Sequence, residues 1–216
     1  MNFEKIDRKW RFRFQSETLD AIFADLRKMR GFEAHWRLAR AYHFAAMQKL
    51  ENGEGETAKI ALRRGWENAK WAYSLEPKRV EGHFWMAVCG IERARLCGKT
   101  STAWALWGAK RQLRIALSLD EAFHFAGSHR VLGRIFHLAP RVLGGNDEKA
   151  EEHFRRALEI ADNSTTRLYF GELLLSRGEW REANAQFEAI ITAPRDDDWV
   201  WEQARDRALA RVHLKR

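Results

Sequence analysis

GGNDEKAEEHFRRALEIAD, Gly144 to Asp162, decides how the chain is read. A glycine pair ahead of a charged helix is either a phosphate cradle or the bend of a helical hairpin. A cradle needs a fixed glycine-to-lysine spacing and a strand in front of it. Neither is present, and the residues before Gly144 read as helix. The hairpin reading accounts for more. Asn146 or Asp147 has the short polar side chain that caps a helix start. Ala150, Phe154 and Ala157 follow at spacings of four and three, which puts all three on one helical face.

That face recurs along the chain. Four octamers align without gaps: HWRLARAY (His35–Tyr42), FWMAVCGI (Phe84–Ile91), HRVLGRIF (His129–Phe136) and RLYFGELL (Arg167–Leu174). The fourth place of each is apolar and the fifth small, with Val88 the largest occupant. Each is followed by a small-x-x-x-bulky-x-x-small set. These sets are Gly65/Ala69/Ala72, Ala109/Leu113/Ala116, Ala150/Phe154/Ala157 and Ala183/Phe187/Ile190, the second and fourth looser than the third. The octamer reads as the first helix of a tetratricopeptide (TPR) pair and the set as the second. A small residue lets two such helices approach closely, and no pair can bury its face alone, so stacking is required.

The repeats are irregular. From the small residue of the first helix to that of the second, the intervals are 26, 21, 17 and 12 residues. The earlier hairpins therefore need longer helices or longer loops. ENGEGET (Glu51–Thr57) and CGKTST (Cys97–Thr102) are the expected loops. Pro77 and Pro194 stand where second helices should stop. Ahead of the first octamer, Ser16 to Arg30 predicts an amphipathic helix with Ser16 as N-cap and Leu19, Ile22, Phe23 and Leu26 inward. The expectation is a single all-α domain, an irregular TPR-like α-solenoid spanning residues 1–216. It comprises an N-terminal arm (1–15), helical hairpins (16–194) and a C-terminal capping helix (195–216). The acidic start RDDDW (Arg195–Trp199) and basic end of that last segment suit a helix dipole.

Four segments carry a family resemblance. They are GFEAHWRLARAY (Gly31–Tyr42), EGHFWMAVCG (Glu81–Gly90), Arg130–Ala161 with its glycine-pair hairpin, and RLYFGELLLSRGEWREANAQFEAII (Arg167–Ile191). Together they resemble the TRAP-transporter T-component (TatT-like) family of irregular TPR proteins. The first two are also similar to the regulator-of-microtubule-dynamics family. The resemblance implies a helical scaffold without catalytic residues. From the T-component family it further implies association with a periplasmic solute-binding partner, self-association and an apolar channel.

Composition narrows the rest. The chain has 216 residues, 45% hydrophobic, with three prolines, so it folds rather than staying disordered. No apolar run approaches the ~20 residues that span a bilayer. The early charges of MNFEKIDRKWRFRFQSE exclude a secretory signal. The expected location is cytoplasmic, or periplasmic if an export signal has been removed. Cys89 and Cys97 are eight apart on one expected helix, roughly 12 Å, too far for a mutual disulfide. They read as packed free thiols. Residues 1–115 hold 23 basic and 13 acidic side chains, and residues 116–216 hold 15 and 17. That basic half admits an acidic partner or a nucleic acid, as does KWRFRF (Lys9–Phe14), where cations alternate with aromatics. The same run could pack on the first helix.

The residues offer little chemistry. His124, His129 and His137 lack the His-x-x-x-His spacing of a helical metal pair, and no nucleophile has an arranged base. No catalytic residue, metal or cofactor is expected, and the chain reads as a non-enzyme. Binding is the stronger expectation. The octamer register places Trp36, Arg40 and His43 on the groove face of the first hairpin and Trp85, Cys89 and Glu92 on the second. Arg130, Arg134 and His137 follow on the third, and Leu168, Glu172 and Leu175 on the fourth; Trp36, Arg40, His43, Trp85, Arg130, Arg134 and His137 are the expected partner-binding residues. Aromatics and arginines are the common anchors of recognition surfaces, and the guanidinium fork suits a carboxylate. The expected partner is a protein with an acidic or C-terminal segment. A small apolar ligand carried in solute uptake is the alternative, with nucleic-acid binding a second one.

Overall fold

The computed structural model describes residues 2–215. Among them the fold is all α, with no strand. The helices are α1 (Phe3–Trp10), α2 (Ser16–Arg27), α3 (Phe32–Glu51), α4 (Gly55–Leu75), α5 (Val80–Cys97), α6 (Lys99–Leu119), α7 (Phe123–Leu138), α8 (Asp147–Ile160), α9 (Ser164–Ser176), α10 (Trp180–Thr192) and α11 (Val200–Leu214). The irregular helical-hairpin array expected from the sequence is present, with α11 as its C-terminal capping helix. Two compact units divide at Glu121/Ala122.

The first unit holds α1 to α6. Helices α3 and α4 form one hairpin, α5 and α6 the next, and α5 packs back on α4. The expected loops are corrected here. Helices α3, α4 and α6 run 20, 21 and 21 residues, and the long intervals are taken up by helix. Only Asn52–Glu54 separate α3 from α4, and only Gly98 separates α5 from α6. Gly98 manages this at φ 105, in the region that favours glycine. Cys97, at that corner, is exposed, whereas Cys89 is buried. The expectation of two packed thiols holds for Cys89 alone. Cys89 joins Ala46, Ala58, Ala61 and Leu62 in the core between the two hairpins. Helix α2 buries Leu19, Ile22, Phe23 and Leu26 as expected, but Ser16 is its first residue and Gln15 holds the cap position.

The second unit stacks α7 on α8 and α9 on α10, and α11 closes on α9 and α10. Every residue of the four small-bulky-small sets is buried. A Cβ on Gly133 would stand 2.6 Å from the Phe154 ring, and one on Gly171 would stand 2.5 Å from Phe187. Those glycines are therefore the close approaches that the octamers require. The glycine pair is a bend. Gly144 is left-handed at φ 80, and a Cβ on Gly145 would lie 1.8 Å from the Ala139 carbonyl oxygen. Asn146 Oδ1 then accepts from the Lys149 amide at 2.7 Å and caps α8. At the other end of α7 the backbone departs from the helix. His124, Phe125 and Ala126 take φ of 54, 57 and 52, three left-handed residues in succession, none of them glycine. Such residues cost roughly 1–2 kcal/mol each, so neighbours must hold them.

Candidate functional site

The seven residues expected to bind a partner fall four in the first unit and three in the second. In the first unit, α1 lies over the face that α3 would present. Arg37 donates to Asp7 through Nε at 3.0 Å, and Arg40 donates to the same carboxylate at 3.0 Å. The Arg40 guanidinium lies 4.0 Å from the centre of Trp10 and 4.9 Å from that of Trp36. Trp36 Nε1 donates to Glu33 at 2.8 Å. Arg13 is buried, stacked 5.0 Å from both Trp10 and Phe44. Lys9 pairs with Asp25 at 2.9 Å. Lys9, Trp10 and Arg13 of KWRFRF thus form the seam between α1 and α2/α3, whereas Arg11 and Phe12 are exposed. Burial pushes Arg40 down to about 10, against the pull of Asp7, so it remains a cation at neutral pH. Burial alone would raise Asp7. Hydrogen bonding from Arg37 and the charges of Arg40 and Arg37 outweigh it and hold the carboxyl below its ordinary range. Further along α3, His43 packs 5.5 Å from Trp85, which is buried.

In the second unit the three residues part company. Arg130 is 5% exposed. It donates to the carbonyls of Phe125 at 3.0 Å and His124 at 3.3 Å, which fastens the left-handed turn. Its guanidinium lies 5.3 Å from the centre of Trp199, and Trp199 Nε1 donates to Thr165 Oγ1 at 3.0 Å. Burial pushes Arg130 down to about 10, so it stays charged near neutrality. Trp199, at the N-cap position of α11, comes from the RDDDW run, whose expected role was only to start that helix.

Arg134 and His137 are partly exposed. The Arg134 side chain is 25% exposed and donates through Nη1 to Glu172 of α9. Its guanidinium lies 4.3 Å from the centre of Tyr169. Glu172 also meets His213 of α11 at 3.4 Å, and the His213 ring stacks on Phe187 at 4.7 Å. The Nδ1 atoms of His137 and His213 are buried and have no hydrogen-bond partner among the described residues. Burial, then the Arg134 charge, pushes His137 below the ordinary histidine range, against Asp147 and Glu172. The first helices of two hairpins and the capping helix therefore converge on a guanidinium, a carboxylate, a phenol and two imidazoles.

Sequence reasoning missed Asp7, Tyr169, His213 and the contact role of Trp199, while Trp10 lies in the run expected either to bind or to pack on the first helix. Asp7 and Trp10 are one turn apart in α1, the amphipathic signal that residues 1–15 carry. Tyr169 lies one place before Phe170 in its octamer, and nothing in the chain marks His213. Among the described residues, no group of three histidine, cysteine or acidic side chains gathers as a metal site would require.

No curated protein matches the chain. The crystal structure of a thermophilic TPR protein from Thermus thermophilus superposes with a TM-score of 0.69 at 22% identity, covering 97% of this chain and 98% of that one. It shows the same fold. Nothing in the comparisons supports the regulator-of-microtubule-dynamics family. The model of the TRAP transporter T-component family matches residues 29–177, from the first octamer to the end of the fourth, and the chain belongs to that family.

Proposed function

We propose that this TPR-type scaffold is non-catalytic and captures a protein segment bearing a free or side-chain carboxylate. The site is the face built by Arg134 and His137 of α7, Tyr169 and Glu172 of α9, and His213 of α11. One observation carries this reading. Arg134 is held by Glu172 and by the Tyr169 ring, yet only one of its five N–H groups has a protein acceptor among the described residues. A guanidinium so fixed loses little freedom on binding a carboxylate and offers a fork to it. Arg130 supports the turn at the head of α7 and does not form part of this face. In the first unit, α1 occupies the Trp36 and Arg40 face that a partner would otherwise use. The family's name points to a partner within a TRAP solute-uptake system.

The test is a panel of acidic peptides, each made with a free and an amidated C-terminus, titrated against the full chain by calorimetry. Binding that survives in the parent and falls about tenfold or more in Arg134→Gln supports the reading, a typical loss for one charged hydrogen bond. If amidation also removes it, the anchor is the terminal carboxylate. Binding unchanged in a folded Arg134→Gln variant removes this face from consideration.

A further inference from the structure

We infer that the outer face of α6 is a peripheral docking surface for an anionic lipid bilayer. Trp104 is 83% exposed and Trp107 is 74% exposed. Two adjacent, nearly bare indoles on one helix are rare, because an exposed large apolar patch marks an interaction surface. Arg111 and Arg114 continue the spacing, so all four lie on one side of α6. Arg111 sits 6.0 Å from the centre of the Trp107 ring. The opposite side buries Leu106, Ala109, Leu113 and Ala116 in the unit. Within the face, a Cβ on Gly108 would meet nothing within 4 Å.

Charge selects the occupant. Lys99 to Leu119 contains no acidic residue, and of its four cations Lys99, Arg111 and Arg114 are exposed while Lys110 is buried. The unit through Glu121 holds 23 basic and 15 acidic side chains, and the remainder holds 15 of each. The whole net charge of +8 therefore belongs to the unit that carries the tryptophans. Tryptophan with arginine beside it is the pairing that sits at the headgroup level, the ring among the upper acyl carbons and the cation on phosphate. A bilayer needs no matching pocket, whereas a protein seats an aromatic anchor in one. No helix among the described residues is long and apolar enough to cross a membrane, so the contact is peripheral.

The full chain should sediment with vesicles of phosphatidylcholine containing phosphatidylglycerol and leave vesicles of phosphatidylcholine alone. Part of its tryptophan emission should be quenched by brominated lipid, a readout that needs no variant. Trp104→Ala with Trp107→Ala should lower partitioning about tenfold or more and abolish that quenching, with the circular dichroism unchanged. Arg111→Gln with Arg114→Gln should weaken binding and flatten its salt dependence. The inference is overturned by equal binding to neutral vesicles, by no quenching in the parent, or by parent-level binding of the folded tryptophan variant. It is also overturned if anionic vesicles leave the chain unbound while the tryptophan variant loses concentration-dependent self-association in sedimentation velocity. That result would make the face an interface between copies.

Discussion

Gly133 lies where the α7 backbone meets the Phe154 ring, so its role is spatial rather than conformational. Gly133→Leu should overpack that contact and lower stability by about 1–3 kcal/mol, read as a shift of the urea midpoint. An unchanged midpoint would mean the two helices separate without cost. Arg130 is the counterpart in polar terms. Arg130→Met keeps the bulk but removes the guanidinium hydrogen bonds to the His124 and Phe125 carbonyls, on a backbone already in an unfavourable region. The expected loss is on the order of 1–3 kcal/mol. His137 gives a pH signature. Its folded form favours the neutral imidazole, so its contribution is full above the ordinary histidine range. That contribution diminishes as pH falls through about 6.5 and is lost below the lowered folded value. The difference in stability between the parent and His137→Gln should therefore change sign or magnitude across that window and be flat above it. A constant difference would place His137 in ordinary solvent.

At the scale of elements, α1 behaves as a clasp. It is only 8 residues long, too short to persist alone in water. What holds it is the Asp7 carboxylate between two guanidiniums and the Trp10 ring against Phe44, 6.0 Å between centres. Asp7→Asn with Trp10→Ala should raise amide exchange across Phe3–Trp10 by tenfold or more while α3 to α6 keep their protection. Protection of α1 in the double variant equal to the parent would show that other contacts fasten it. The same logic explains α6. Its outer face draws nothing from the core, and Leu106, Ala109, Leu113 and Ala116 on the other side supply the packing. Tryptophan at 104 and 107 is therefore not needed for folding, and a surface role has no structural competitor there.

For the whole molecule, the two proposed determinants lie in different compact units and share no side chain. Substitutions at positions that share no partner usually act independently. Trp104→Ala with Trp107→Ala should leave peptide capture intact, and Arg134→Gln should leave vesicle binding intact. If either change abolished both, the two activities would be one, and both assignments would need to be merged or withdrawn.

The sequence by itself determined the fold class and the hairpin register. Both rest on repeating small and bulky residues at helical spacing, and helix packing reads that spacing directly. It also determined the bend at Gly144–Gly145 and narrowed the cap to Asn146 or Asp147, because those depend on neighbours close in the chain; the structure put the cap on Asn146. It did not determine where the long intervals went. Loop and helix were both compatible with Glu51–Thr57 and Cys97–Thr102, and a single glycine at positive φ settled the second case. The site residues were legible only as positions on a helix face. Tertiary structure decided that α1 lies over Trp36 and Arg40. It turned Arg130 inward onto a left-handed turn and brought Tyr169, Glu172 and His213 around Arg134. The physical reason is that periodicity tells which way a side chain leaves its helix. Only the packing of residues distant in sequence decides whether water, a carboxylate or another part of the chain meets it.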